Sequence, residues 1–131
     1  MGNIINITNK EGELIAQVSQ SLACYAYFKE LAKKYKPDFN DFSGDINREL
    51  ETVYNKATPE DEVVILVFIN DKNKFTEKDI PSFEKAIENY PKKFNKGPRR
   101  VLTKYLELLK KYGELNTEYV STTSSMTVFN E

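Results

Sequence analysis

Seven consecutive apolar residues, Val63-Val64-Ile65-Leu66-Val67-Phe68-Ile69, interrupt a chain in which 30% of residues are charged. Five of the seven are β-branched and one is aromatic, the chemistry that fits a pleated surface. A strand apolar on both faces must be covered on both sides. The run therefore predicts the central strand of a sheet with helices packed over it.

Other elements arrange themselves around that strand. Asn9-Lys10-Glu11-Gly12 separates Ile4–Thr8 from Leu14–Val18 and has the residues of a type I turn closed by a left-handed glycine, so an N-terminal hairpin is expected. The alternative is one helix running from Glu13 to Lys36. Ser19 or Ser21 can cap a helix that places Cys24, Phe28, Leu31 and Tyr35 on one stripe and stops before Pro37. A second helix carries Ile46, Leu50, Val53, Tyr54 and Ala57 and is closed by Thr58-Pro59. After an exit loop over Asn70–Lys74, Ile80, Phe83, Ile87 and Tyr90 form a third stripe, with Pro81 in its first turn. Pro98 opens the last helix, whose apolar face is Val101, Leu102, Tyr105, Leu106, Leu109 and Tyr112, with Leu108 outside it and Gly113 at its end. Glu118–Phe129 alternates like an edge strand. The expected fold is α/β or α+β, a small mixed sheet of about four strands covered by four helices in the order ββααβααβ, built as a single domain over residues 1–131.

Charge is balanced, 19 basic against 20 acidic residues, so a nucleic acid or an anionic surface could be held only by a local patch. Cys24 is the single cysteine, which rules out an internal disulfide and fits a reducing compartment. Met1–Asn6 has no basic region ahead of an apolar run, and the longest apolar stretch is too short to span a bilayer. A cytoplasmic protein without membrane attachment is expected.

The chain contains no histidine. Serine triads, cysteine–histidine dyads and histidine-ligated metals are thereby excluded. All five glycines are isolated, so no phosphate-cradling glycine loop can be written. Ser82 and Lys85 have the spacing that sets an amine beside a hydroxyl on one helical turn, but the companion motifs of serine acyl enzymes are missing. Asp38, Asn40 and Glu49 occupy the first, third and twelfth places of a calcium-loop template; Phe42 then falls where an oxygen ligand is needed. Cys24 lies on a core stripe and reads as a packing residue. No catalytic residue, metal or cofactor is expected.

The strongest local signal is residues 92–104, which hold six cations, Lys92, Lys93, Lys96, Arg99, Arg100 and Lys104, and no acid. Arg99 and Arg100 fall in the first turn of a helix, where the macrodipole disfavours positive side chains. An anion there would accept the first-turn amides and two guanidinium forks together; without one the segment is a solvated loop balanced by Glu84 and Glu107. Asn70 and Asp71, placed just beyond the expected central strand, are ligand-proximal candidates because open sheets bind ligands past their strand ends. These features favour a non-catalytic protein that binds another protein, of the inhibitor or adaptor kind that compact bacterial or phage genes encode. The alternative is a binder of a small phosphorylated ligand or a nucleic-acid backbone. A homodimer is expected through the Glu118–Phe129 edge or through Leu108.

Overall fold

A computed structural model describes residues 3–69 and 73–120. The elements are β1 (Asn3–Thr8), β2 (Leu14–Gln20), α1 (Leu22–Tyr35), α2 (Ile46–Lys56), α3 (Pro59–Phe68), β3 (Asn73–Thr76), α4 (Ile80–Glu88), α5 (Gly97–Tyr112) and β4 (Glu114–Val120), with a 3₁₀ turn, Glu77–Asp79, before α4. The four strands form one antiparallel sheet in the order β2-β1-β4-β3. Together with five α-helices they make an α+β fold.

The N-terminal hairpin forms as the turn chemistry predicts. Gly12 donates its N–H to the Asn9 carbonyl at 3.0 Å and sits at φ 82°, a left-handed conformation that a side chain would strain. Asn9 itself is buried, and its Oδ1 accepts from the amides of Glu11 and Glu13 at 3.0 and 2.9 Å. The rival single helix from Glu13 is therefore excluded.

The apolar run is not a strand. Val63–Phe68 forms the greater part of α3, and Ile69 is its C-cap. The cause lies just upstream: Thr58 accepts from the Asp61 amide at 3.3 Å, Pro59 occupies the first turn, and Glu60, Asp61 and Glu62 oppose the helix dipole. Thr58-Pro59 starts one helix where the previous one has already stopped, since α2 ends at Lys56. Val63, Val64, Ile65, Val67 and Phe68 are buried, whereas Glu62, Leu66 and Ile69 are only partly so. That 62, 66, 69 spacing is helical. A helix apolar nearly all round is one enclosed by its neighbours, and α3 packs against α1 and α4. Its last carbonyls are satisfied by side chains: Gln20 donates to Val67 O at 3.0 Å, and Asn73 donates to Leu66 O at 2.9 Å.

The sheet is accordingly antiparallel, not mixed, and its centre is β1 and β4. The element order is ββαααβααβ, because the strand expected at Val63 is supplied by Asn73–Thr76, inside the segment read as an exit loop. Helices cover one face only. Ile5, Ile7, Val18, Phe75, Leu115 and Thr117 are buried there, while Gln17, Glu118 and Lys74 are exposed on the other. On the open face Gln17 donates to Asn6 at 2.7 Å.

Two further expectations are corrected. Leu108 is buried, because the covered surface of α5 is wider than one stripe. The C-terminal strand begins at Glu114, directly after the left-handed Gly113, and lies between β1 and β3. It has partners on both sides at Asn116 and Thr117, while Glu118–Val120, the described start of the expected edge strand, pair with β1 alone; the expected continuation over 121–129 lies outside the described residues. Among the described residues no helix is long and apolar enough to cross a membrane.

Candidate functional site: a cationic cleft at the start of the last helix

The junction of α4 and α5 builds a cleft from a short, pinned loop. Tyr90, just past α4, donates its hydroxyl to the Asn95 carbonyl. Asn95 Oδ1 in turn accepts the Gly97 amide at 2.7 Å, and Phe94 donates its amide to Pro91 O at 3.2 Å. Gly97 sits closely against this loop: a Cβ there would lie 3.0 Å from Asn95 Oδ1, crowding that side chain, and 3.5 Å from Ser21 Oγ. Below the loop, Tyr27 of α1 packs its ring 4.9 Å from Tyr90 and 5.0 Å from Phe94, tilted contacts of the favourable kind.

On that aromatic floor the loop and first helical turn raise four cations. The cleft is about 460 Å³ and is lined by Tyr90, Pro91, Lys92, Phe94, Lys96, Arg99 and Arg100. No acid contributes to the lining. Among the described residues none of the four cations has a carboxylate within salt-bridge distance; Glu84, expected to balance them, pairs instead with Lys110 at 3.2 Å. α5 also has no acidic residue in its first turn and no side-chain cap. α1 shares that lack but carries no arginine in its first turn, whereas α2 is capped by Asp45 and α3 by Thr58, each with acid in the first turn. The charge conflict read from the sequence is present and uncompensated among the described residues.

The placement of the predicted residues divides cleanly. All six cations are exposed, but only Lys92, Lys96, Arg99 and Arg100 line the cleft; Lys93 and Lys104 do not. The expected row of free first-turn amides is reduced, because Gly97's is taken by Asn95 and Pro98 has none. At most the Arg99 amide is left for an incoming anion, and the site works through side chains. Asn70 and Asp71 lie outside the described residues, and the element before them is a helix, so they do not follow a strand end. The contribution of Tyr27, Tyr90 and Phe94 was missed from sequence, although Phe94 sits within the basic run and Tyr90 only two residues ahead of it. Burial pushes the Tyr90 phenol up to about 12, with Cys24 and Glu30 adding to the effect, and burial does the same for Tyr27, again to about 12. Both phenols are therefore neutral at neutral pH, Tyr90 in the cleft wall and Tyr27 buried beneath it.

A second cleft of about 430 Å³ shares Pro91 with the first and has mixed charge, with Glu30, Lys34, Glu60 and Asp61 in its wall. Asp61 there is held by Lys34 at 2.9 Å and by the Tyr35 hydroxyl. The remaining sequence motifs resolve into packing. Lys85 Nζ is 3.6 Å from Glu60 rather than committed to Ser82. Burial raises the Cys24 thiol above its ordinary value, only partly opposed by hydrogen bonds with Ser21, so it stays protonated and unreactive at neutral pH.

At the calcium-like spacing a lysine stands where a cation would. Lys36 Nζ lies 3.0 Å from Glu49 and 3.1 Å from Asp38, and Glu49 also accepts the Asn40 amide at 3.0 Å. The Asn40 amide first, then Lys36, holds the Glu49 carboxyl below its ordinary 4.5. A depressed value means stability that is present above the unfolded value and lost as pH falls through the folded one. Thermal melts should therefore fall on acidification below pH 4.5. Glu49→Gln should lower the neutral-pH melt and flatten that acid limb; an unchanged acid limb would show that this contact does not tie the loop to α2.

Comparison with known protein families, curated proteins and solved structures yields no match, so function rests on this geometry.

Proposed function

We propose that the chain is a non-catalytic binding protein that seats an acidic segment of a partner protein in the cleft at the start of α5. The observation that carries this reading is the group of four cations, Lys92, Lys96, Arg99 and Arg100, without a carboxylate partner among the described residues and set over an aromatic floor. Desolvating unpaired cations is costly unless the incoming surface supplies the missing charge. Arginine forks and buried-edge aromatics are the groups that anchor protein interfaces. Two aspartates or glutamates spaced along an extended or helical segment would meet the guanidinium pair, while an apolar side chain covered Phe94.

A phosphorylated small ligand is the second reading. It is favoured by the cleft's size, about 460 Å³, which falls in the range of small-molecule sites. The scarcity of free first-turn amides counts against it.

Affinity capture with the wild type and with Arg99→Ala/Arg100→Ala tests the proposal, the captured partner being identified and then titrated at low and high salt. The double variant should bind about ten- to a hundredfold more weakly, as expected for loss of about 1–3 kcal/mol of charge-assisted contacts. High salt should reproduce the loss. Both arginines are exposed, so the melting temperature should not fall. Undiminished capture by the variant would overturn the reading, and a melt raised by a phosphate compound but by no protein would favour the second one.

A further inference from the structure

We infer that this chain forms a two-fold dimer by antiparallel pairing of β2 with β2 of a second copy. The sheet has two edges among the described residues, and they differ in kind. β3 is four residues long and carries Lys74, whose side chain lies 3.7 Å from Glu114 of the neighbouring strand. β2 is seven residues long, Leu14-Ile15-Ala16-Gln17-Val18-Ser19-Gln20, with neither a charge nor a proline. Short length, charge and proline are among the devices that keep edges from pairing, and β2 has none of these three; its one irregularity is a register shift against β1 at Ile15, near the Leu14 end, which leaves Ala16–Gln20 regular.

The segment is also complementary to itself. An antiparallel pair centred on Gln17 sets Gln17 opposite Gln17, Ala16 opposite Val18, Ile15 opposite Ser19 and Leu14 opposite Gln20. No like charges meet across the axis. A two-fold axis there also deals with apolar surface that the monomer leaves in water. Leu14 is 56% exposed at one end of β2 and Leu22 is 74% exposed just past the other. Antiparallel pairing brings Leu14 of each copy to the end at which Leu22 of the other stands, and does so twice. The product is a continuous eight-stranded sheet in the order β3-β4-β1-β2-β2-β1-β4-β3. The interface expected from sequence lies elsewhere: β4 stands between β1 and β3 in the sheet order, only its Glu118–Val120 end extends past β3, and Leu108 is buried.

Sedimentation velocity of the full chain over a range of concentrations tests the inference, with a species of twice 15.2 kDa expected at the upper end. Gln17 is exposed, so Gln17→Lys and Gln17→Glu leave the monomer fold intact while placing like charges opposite each other on the axis. Each should raise the dimer dissociation constant about three- to fivefold, and an equal mixture of the two should restore the wild-type value. Leu14→Ser acts twice across the axis and should raise it about tenfold or more. A monomer at every concentration overturns the inference. So does a dimer that is indifferent to Leu14→Ser, or a pair of Gln17 variants that the mixture fails to rescue.

Discussion

Ile65→Asp should leave the protein unfolded. Ile65 is fully buried in the middle of α3, the helix enclosed by its neighbours. A carboxylate there would be either ionised without a partner or protonated against its ordinary value, at a cost of several kcal/mol. That is comparable to the whole stability of a small domain. Circular dichroism and a thermal melt suffice to read the result. Leu66→Asp supplies the control that separates helix from strand, because Leu66 shares the partly exposed stripe with Glu62 and Ile69 and should be tolerated far better. In a strand, Leu66 and Val64 would share one face and Leu66→Asp would be as damaging as Val64→Asp. Equal loss from those two variants would reject the helix.

Phe83→Ala should cost about 3–5 kcal/mol, the usual result of truncating a buried aromatic, and lower the melting temperature by roughly 10–20 °C. Phe83 is fully buried. Its ring lies 5.4 Å from Phe75 of β3 and 6.1 Å from Tyr105 of α5, and Phe75 and Tyr105 meet edge-on at 5.8 Å. One cluster thus fastens α4 to α5 and both to the sheet. The cationic cleft lies at the α4–α5 junction, so binding there should weaken along with stability, unlike the Arg99/Arg100 variant, which should spare the fold. Urea titration gives the number, and a loss below about 1 kcal/mol would mean that the cavity collapses freely.

Much of the fold was legible where a residue has one physical use. Asn9 and Gly12 fix a turn, Pro81 and Pro98 fit first helical turns, and the 24, 28, 31 stripe of α1 is buried as its period requires. The error at Val63–Ile69 has an equally specific origin. The outward stripe of α3 is Glu62, Leu66 and Ile69, two of them apolar, so the run shows no polar period to betray a helix. Enclosure by other helices then outweighs β-branched preference, which reflects packing more than backbone. β3 was hidden because Asn73-Lys74-Phe75-Thr76 has only Phe75 buried, too little to show an alternation. The cleft was half legible. Charge and helix position marked Arg99 and Arg100, but selecting Lys92 and Lys96 over Lys93 and Lys104 required the loop's hydrogen bonds, and Tyr27 comes from an element far away in the chain.

The position of β4 has a consequence for how the protein is made. β3 pairs with no strand but β4 among the described residues, and β4 fills the slot between β3 and β1. Thr8 donates its hydroxyl to the Asn116 carbonyl across 108 residues of sequence. During synthesis the β1–β2 hairpin and the successive helices can form as they emerge, but the sheet has an unfilled centre until the last strand arrives. Loop closure over that span comes late and slowly. Until then the exposed flank of β1 is a pairing edge, and nascent chains crowded on one message have their greatest opportunity to exchange strands in that interval.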